Sequence, residues 1–372
     1  MTPSLHLMLL AGDAVPEPVP AAFIDALHHV RVTSATGVTN GFQLTFAMSP
    51  RSQLRQAVVP GGALDVKRRV VVAVALAGRC QVLMDGLITR QEMHAGRAPG
   101  ASFLTVTGED LSVLMDLQHV RCSYPGLAPH LRAETVCARY AQYGITARAV
   151  PPVLTEQPNP AVTIPVQAAT DLAYLRAMAA DVGHVFHIEP GPVPGASTAY
   201  WGPQKREGDP QPALTTGCGA ADNVEDLSFA HDGLSVAHYR THFVDPGSRS
   251  ISEIVPPEPQ VLYWSLAAHP APALCARPLT GQTGRSLPQA RLAGLGRTVS
   301  GDPVTAQGTL NVLRYGHVLG SHRLVGVRGA GPAYDGTYAV RDVTHDLTRT
   351  TFRQHFTLVR DGLVSDTQVV NP

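Results

Sequence analysis

Apolar and polar residues alternate with a period of two through much of this chain, the signature of strands with one buried face. Val30 to Phe46 reads as strand, turn, strand, with the hairpin pair Asn40-Gly41 between the halves. Val70 to Leu76 is a continuous apolar, β-branched run, and Arg79 to Met84 follows as its partner. Further on, Ala237, Tyr239, Thr241 and Phe243 fall on one face of a strand and His238, Arg240 and His242 on the other. Phe352, Gln354, Phe356 and Leu358 alternate in the same way with Arg353, His355, Thr357 and Val359.

Between these β regions the period changes. Leu111, Leu114, Met115 and Leu117 are spaced as in a helix, with Glu109 and Asp110 at its start, where the dipole favours acids. Ala128 to Tyr143 predicts a second helix stopped by Gly144. A third is capped by Thr170 or Asp171, carries Leu172, Leu175, Met178, Ala179 and Val182 on one face, and ends at Gly183. Val150 to Pro160 reads as a Pro-rich connector, Val185 to Ile188 as a strand, and Tyr200-Trp201-Gly202-Pro203 as the close of the segment. Residues 108–205 thus read as a small α/β insertion in a β protein, and residues 245–320 are too rich in Pro and Gly for a pattern.

One stretch is written twice, about 250 residues apart (85 against 335). Asp85 to His94 runs as Asp-Gly turn, strand and His, and returns through Phe103 to Leu111. Asp335 to His345 does the same and returns through Phe356 to Leu363. The shared order of turn, strand, His, loop, Phe-strand, charge and Leu predicts two related β-domains in one polypeptide. Three such chains would present six similar faces.

Composition narrows the class. The 372 residues suffice for two to three domains with sizeable cores. Charged residues are only 16%, and 34 Gly and 31 Pro point to turns and β architecture. A formal net charge of zero, with Lys67-Arg68-Arg69 as the densest basic run, excludes a general nucleic-acid binder and leaves that triplet as a solvated turn. The five cysteines are scattered without a C-x-x-C pair, as in reduced thiols of a chain made in the cytoplasm. The first residues, MTPSLHLMLLAGDAVPEP, lack a basic leader region, and the longest apolar run, Val70 to Ala77, is too short to span a bilayer, so no direct membrane insertion is expected.

Candidate chemistry is sparse. His238 and His242 share a strand face but lack the Glu of a zinc helix, and His184 and His187 point to opposite faces. Gly233-Leu234-Ser235-Val236-Ala237 approaches a nucleophile elbow without its last Gly. Gly217-Cys218-Gly219 and Gly294-Leu295-Gly296 read as turns rather than phosphate loops. Asp222, Glu225 and Asp226 form an acidic cluster of the kind a glycosidase pairs, and read better as a solvated loop before Leu227-Ser228-Phe229. Cys218 has no partner His nearby in sequence. No catalytic, cofactor-binding or metal residue is assigned, and no cofactor is expected.

Several phrases, in order, carry a resemblance. They are Gly41-Phe42-Gln43-Leu44-Thr45-Phe46, Val106-Thr107-Gly108-Glu109-Asp110-Leu111, Arg139-Tyr140-Ala141 with Tyr143-Gly144-Ile145, and Thr170-Asp171-Leu172-Ala173-Tyr174-Leu175. Asn223-Val224, Leu227-Ser228-Phe229, Asp232-Gly233-Leu234, Tyr334 to Val340, Val343-Thr344-His345 and Phe356 to Gly362 continue the order. The set, spanning about residues 30 to 364, resembles the phage late control protein D family, the baseplate hubs of contractile tails, related to the N-terminal hub part of VgrG proteins. The resemblance implies an α+β, mainly β fold: two related, tail-tube-like β-barrel domains with a small α/β domain inserted. Residues 1–107 would form the first barrel, completed by about 206–245, with 108–205 inserted and 246–372 as the second barrel.

It also implies a non-enzymatic homotrimer, a pseudo-sixfold ring that joins a hexameric inner tube to a trimeric spike and touches other baseplate components. Because VgrG-type chains run on into a needle, the spike is expected to be a separate polypeptide. After synthesis in the cytoplasm the hub would sit in a phage tail or in an extracellular or cytoplasmic contractile particle. The competing readings are a cell-wall hydrolase carried by such a machine, resting on the acidic cluster or Cys218, and a surface- or glycan-binding β-protein.

Overall fold

A computed structural model describes residues 5–36, 39–49, 54, 61–96, 102–155, 157–244, 250–254, 264–280, 286–299 and 301–367. The loop expected after His94 therefore lies partly outside the described residues. In chain order the first elements are β1 (Leu5–Gly12), β2 (Glu17–Pro18), α1 (Ala21–Ala26), β3 (Leu27–Ala35), β4 (Gly41–Met48), β5 (Arg69–Leu76), β6 (Arg79–His94) and β7 (Ser102–Asp110). A 3-10 helix, Leu111–Asp116, follows, then β8 (His119–Ser123), α2 (Pro129–Ala138), β9 (Ile145–Ala149), β10 (Val166–Thr170), α3 (Asp171–Ala180), β11 (Val185–Pro190) and β12 (Ser197–Gly202). The last are β13 (Gln211–Thr215), β14 (Val224–His231), β15 (Ala237–Val244), β16 (Ile251–Ile254), β17 (Cys275–Pro278), α4 (Leu287–Val299), β18 (Val304–Asn311), α5 (Val312–Tyr315), β19 (Leu324–Arg328), β20 (Gly336–Thr348) and β21 (Phe352–Arg360).

Two six-strand motifs have the same order in space and the same order along the chain. The first runs β3-β4-β7-β6-β5-β1 and the second β14-β18-β21-β20-β19-β13. Their irregularities coincide too. One residue bulges at the start of β3 (His28) and at the start of β14 (Glu225). Another bulges midway along β6 (Thr89) and β20 (Arg341). Aligning the first pair of bulges sets the pair His29↔Thr45 on Asp226↔Thr309. Aligning the second sets Thr107↔Gln43 on Thr357↔Gln307. The two alignments agree, so Gln43 matches Gln307, Thr45 matches Thr309 and Thr107 matches Thr357. The motifs differ at their far edge, where β1 runs antiparallel to β5 but β13 runs parallel to β19.

In each motif the long strand (β6, β20) serves two partners in turn: β5 then β7, and β19 then β21. That hand-over rolls the sheet around its core as in a barrel, although no pairing among the described residues closes either ring. The motifs join where β20 pairs antiparallel with β3, and one core runs through both, from Leu9, Leu44 and Val106 to Val340 and Leu358. The fold is α+β and mainly β, as expected.

The repeated hairpin is real but its residue alignment shifts. The bulges match Asp85 to Thr337, two places past Asp335-Gly336. Asp335 does lie in a turn before β20, whereas Asp85 is buried in mid-strand. The strands at 211–215 and 224–231, expected to complete the first barrel, pair with β19 and β18 of the second motif.

The insertion packs α2 and α3 against the sheet β11-β12-β9, with β8 and β10 paired beside it, around Leu175, Val136 and Trp201. Thr170 caps α3 by accepting from the Ala173 N–H at 3.2 Å, as its position predicts. The expected helix at Ala128–Tyr143 is split: α2 ends at Ala138, a 3-10 turn spans Ala141–Tyr143, and Gly144 stops it at φ +74°. Gly294-Leu295-Gly296, expected as a turn, lies inside α4, where Gly296 lets that helix press against the backbone of Gly183.

Both motifs set a Phe opposite a Gly, Phe42 facing Gly108 and Phe356 facing Gly308. A methyl on Gly108 would overlap the Phe42 ring and the Leu87 carbonyl. Gly108→Ala should therefore destabilise the protein by about 1–3 kcal/mol in urea denaturation, although Ala normally favours a strand over Gly.

Candidate functional site: a charged groove and three buried joints

The outer face of the strands around the motif junction carries a groove of about 470 Å³ lined by Glu225, Asp226, Thr309, Asp346, Arg353 and His355, among others. Charges of alternating sign cross it. Arg31 on β3 pairs with Asp346 on β20 at 2.8 Å, and Arg353 on β21 pairs with Glu225 on β14 at 3.1 Å. His29 adds a 2.6 Å contact to Asp346. Burial alone would raise the Asp346 carboxyl, but the hydrogen bonds from Arg31 and His29 outweigh it and hold it below the usual range. Glu225 and Asp346 are thus each engaged by a cation.

The remaining sequence candidates scatter. Asp222 is spent on its own turn, accepting from the Cys218 N–H at 2.7 Å. Ser235 lies in the turn after β14 and donates to the Asp232 carbonyl. Among the described residues, no group of three or more His, Cys, Asp and Glu could hold a metal ion. His184 and His187 do part company: the first packs on Trp201 at 4.7 Å, the second stacks on His322 at 3.8 Å.

What the chain brings together instead is three buried polar joints. Arg69, expected to be solvated, is 2% exposed in its side chain and forks onto Asp85 with two 2.7 Å hydrogen bonds. The same guanidinium donates to the carbonyls of Ala14 and Gly195, and Ser197 donates to Asp85 at 3.2 Å, so one ion pair ties β5, β6 and the insertion. The second joint is Arg360, buried over the Tyr338 ring and donating to the carbonyls of Gly362, Asp335 and Ala333.

The third joint gathers all three units. His187 of the insertion stacks on His322 of the second motif, and His322 Nδ1 lies 3.2 Å from the Thr36 hydroxyl of the first. His187 also contacts Glu189, which accepts from Lys205 at 2.6 Å. Burial alone would raise the Glu189 carboxyl, but the hydrogen bonds from His187 and Lys205 hold it at about 2. Burial, and then the charge of His187, pushes His322 well below the ordinary histidine value.

No sequence motif announces these joints. The one available signal was a charge inside an apolar run, as at Arg69 before Val70-Val71-Val72.

Comparisons follow the fold. No protein-family model matches the chain, and no curated protein matches it. Among solved structures, a tail protein of Neisseria meningitidis MC58 is similar with TM-score 0.60 and 15% identity over 97% of this chain and 98% of that one. The 43 kDa tail protein of prophage MuSo2 from Shewanella oneidensis gives TM-score 0.62 and 10% identity over 97% and 100%. The E. coli c3393 protein, a type VI secretion component with structural similarity to the T4 tail proteins gp27 and gp5, gives TM-score 0.54 and 11% identity over 93% and 77%.

Two outcomes test the joints. Removing one member of a buried ion pair strands the other, so Arg69→Met should cost about 3–5 kcal/mol in urea denaturation, and Arg69→Lys, without the fork, should not restore it. His184 and His345 are pushed by burial to about 4 and about 3, so both are neutral in the fold and protonate readily once unfolded. The stability they supply is present above pH 6.5 and is lost as pH falls toward those values, at about 1.4 kcal/mol per pH unit for each. Calorimetric melting should show that fall, and His345→Gln should flatten it. Across nearly its whole length the chain shares the fold of tail proteins, one of them from a prophage, and of a type VI secretion component.

Proposed function

We propose that this chain is the structural baseplate hub of a contractile phage tail or a related injection machine. Three copies form a pseudo-sixfold ring that joins a hexameric inner tube to a trimeric spike. The observation that carries this reading is the doubled six-strand motif with coincident bulges. A trimer of such chains has six nearly equal sectors and still threefold contacts. The likeness to tail proteins supports the same role. The pairings favour domain limits of about 1–110, 111–205 and 206–372.

A non-enzymatic role accords with a groove in which Asp346 is tied to Arg31 and His29 and Glu225 to Arg353. Among the described residues no helix is long and apolar enough to cross a membrane. The hub works within the assembled tail or particle, next to tube, spike and other baseplate proteins.

Sedimentation equilibrium should give a stable trimer, as interfaces on the order of 2,000 Å² imply, and co-sedimentation should show binding to hexameric tube rings. A monomer at every concentration that ignores tube protein would contradict the proposal.

A further inference from the structure

The internal junction is a template for a junction that one chain cannot make. Along the outer edge of β20, β19 comes first and β3 second, with Val32 opposite His345 and Val30 opposite Leu347. The matching strand of the first motif, β6, has β5 in the first place, but in the second place no strand among the described residues pairs with Arg90–His94. Conversely β14, the match of β3, pairs with β18 on one edge and among the described residues with no strand on the other. Among the described residues, one edge lacks a β3 and the other lacks a β20.

The side chains record the same vacancy. At the internal junction Val30, Val32, His345 and Leu347 are 2%, 0%, 3% and 4% exposed. The bulge alignment matches these to Leu227, Phe229, Met93 and Ala95. Leu227 and Phe229 are only half-buried, Met93 is 51% exposed and Ala95 is exposed. Phe229 packs inward on Tyr334 at 4.8 Å, yet these positions stay more exposed than their internal counterparts, beside edges that no described strand pairs.

Resting on the hub reading above, we propose that β14 of one chain pairs antiparallel with the Arg90–His94 part of β6 on a second copy of this chain, in the register of β3 on β20. Phe229 then faces Met93, Ser228 faces His94, and Leu227 faces Ala95. Asp232 faces Arg90, opposite charges at the end of the ladder. The path β14-β18-β21-β20-β3-β4-β7-β6 begins and ends on these two edges, so the contact is heterologous, and a closed ring of three copies leaves neither edge open. Internal and external junctions alternate, six in all.

Disulfide trapping tests the register. Phe229→Cys and Met93→Cys are placed in a chain whose Cys80, Cys122, Cys218 and Cys275 are serine, leaving the buried Cys137. Mild oxidation should convert most of the assembled protein into a covalent trimer on a non-reducing gel, while the shifted pair Ser228→Cys and Met93→Cys should give little. Arg90→Asp and Asp232→Arg should each weaken the trimer several-fold in sedimentation, and together restore it. Trimers without the Phe229–Met93 cross-link, or with the shifted pair linked equally well, would overturn the register while leaving the hub reading intact. Protein that stays monomeric at every concentration would overturn both.

Discussion

Strand β20 is bonded along one edge to β21 and along the other to β19 and then β3. That second edge holds the molecule together, because it is where two copies of one motif become a single sheet. The pairing is antiparallel over Asp342–Thr348, and its core-facing residues are almost wholly buried. Its outer face carries the charges of the groove, with Arg31 and Asp346 directly opposite. Unpaired strand edges are costly and invite association, and this junction pairs two of them inside the chain.

The buried joints serve the same geometry. A junction that sets angles between sectors must be stiff. Arg69 with Asp85 pins the insertion to the first motif, and the His187–His322 stack with Thr36 pins it where both motifs meet. These interactions add little net stability beyond what apolar side chains would give. Their directional hydrogen bonds favour one arrangement of the three units over apolar alternatives.

Strand periodicity, the capped helix α3 and the repeated hairpin were legible in the sequence because each is a local pattern. Thr170 followed by Leu172, Leu175 and Met178 is cap and stripe within a few residues. The alignment of the repeat was not fully legible. Asp-Gly is turn chemistry at Asp335, but at Asp85 the carboxylate is paired with a distant Arg69, and sequence cannot say which. Gly294 and Gly296 read as a turn because glycine disfavours helices, and the close approach to Gly183 that makes it useful there is a tertiary fact. Likewise β13 and β14 follow the insertion in the chain yet pair with strands about a hundred residues later (224 with 310), partners that a local pattern does not reveal. Glu225 stood out with Asp222 and Asp226 as an acidic cluster, while the cation that pairs with it, Arg353, comes from a remote strand.

The central claim is that a doubled motif lets threefold assembly imitate sixfold geometry. Electron cryomicroscopy of the purified protein viewed down its ring axis tests this directly. The account predicts a ring whose rotational power peaks at six at low resolution and at three once side chains are resolved, with the first and second motifs alternating around it. A ring in which motifs of one kind meet only their own kind, or particles of twofold symmetry, would contradict it.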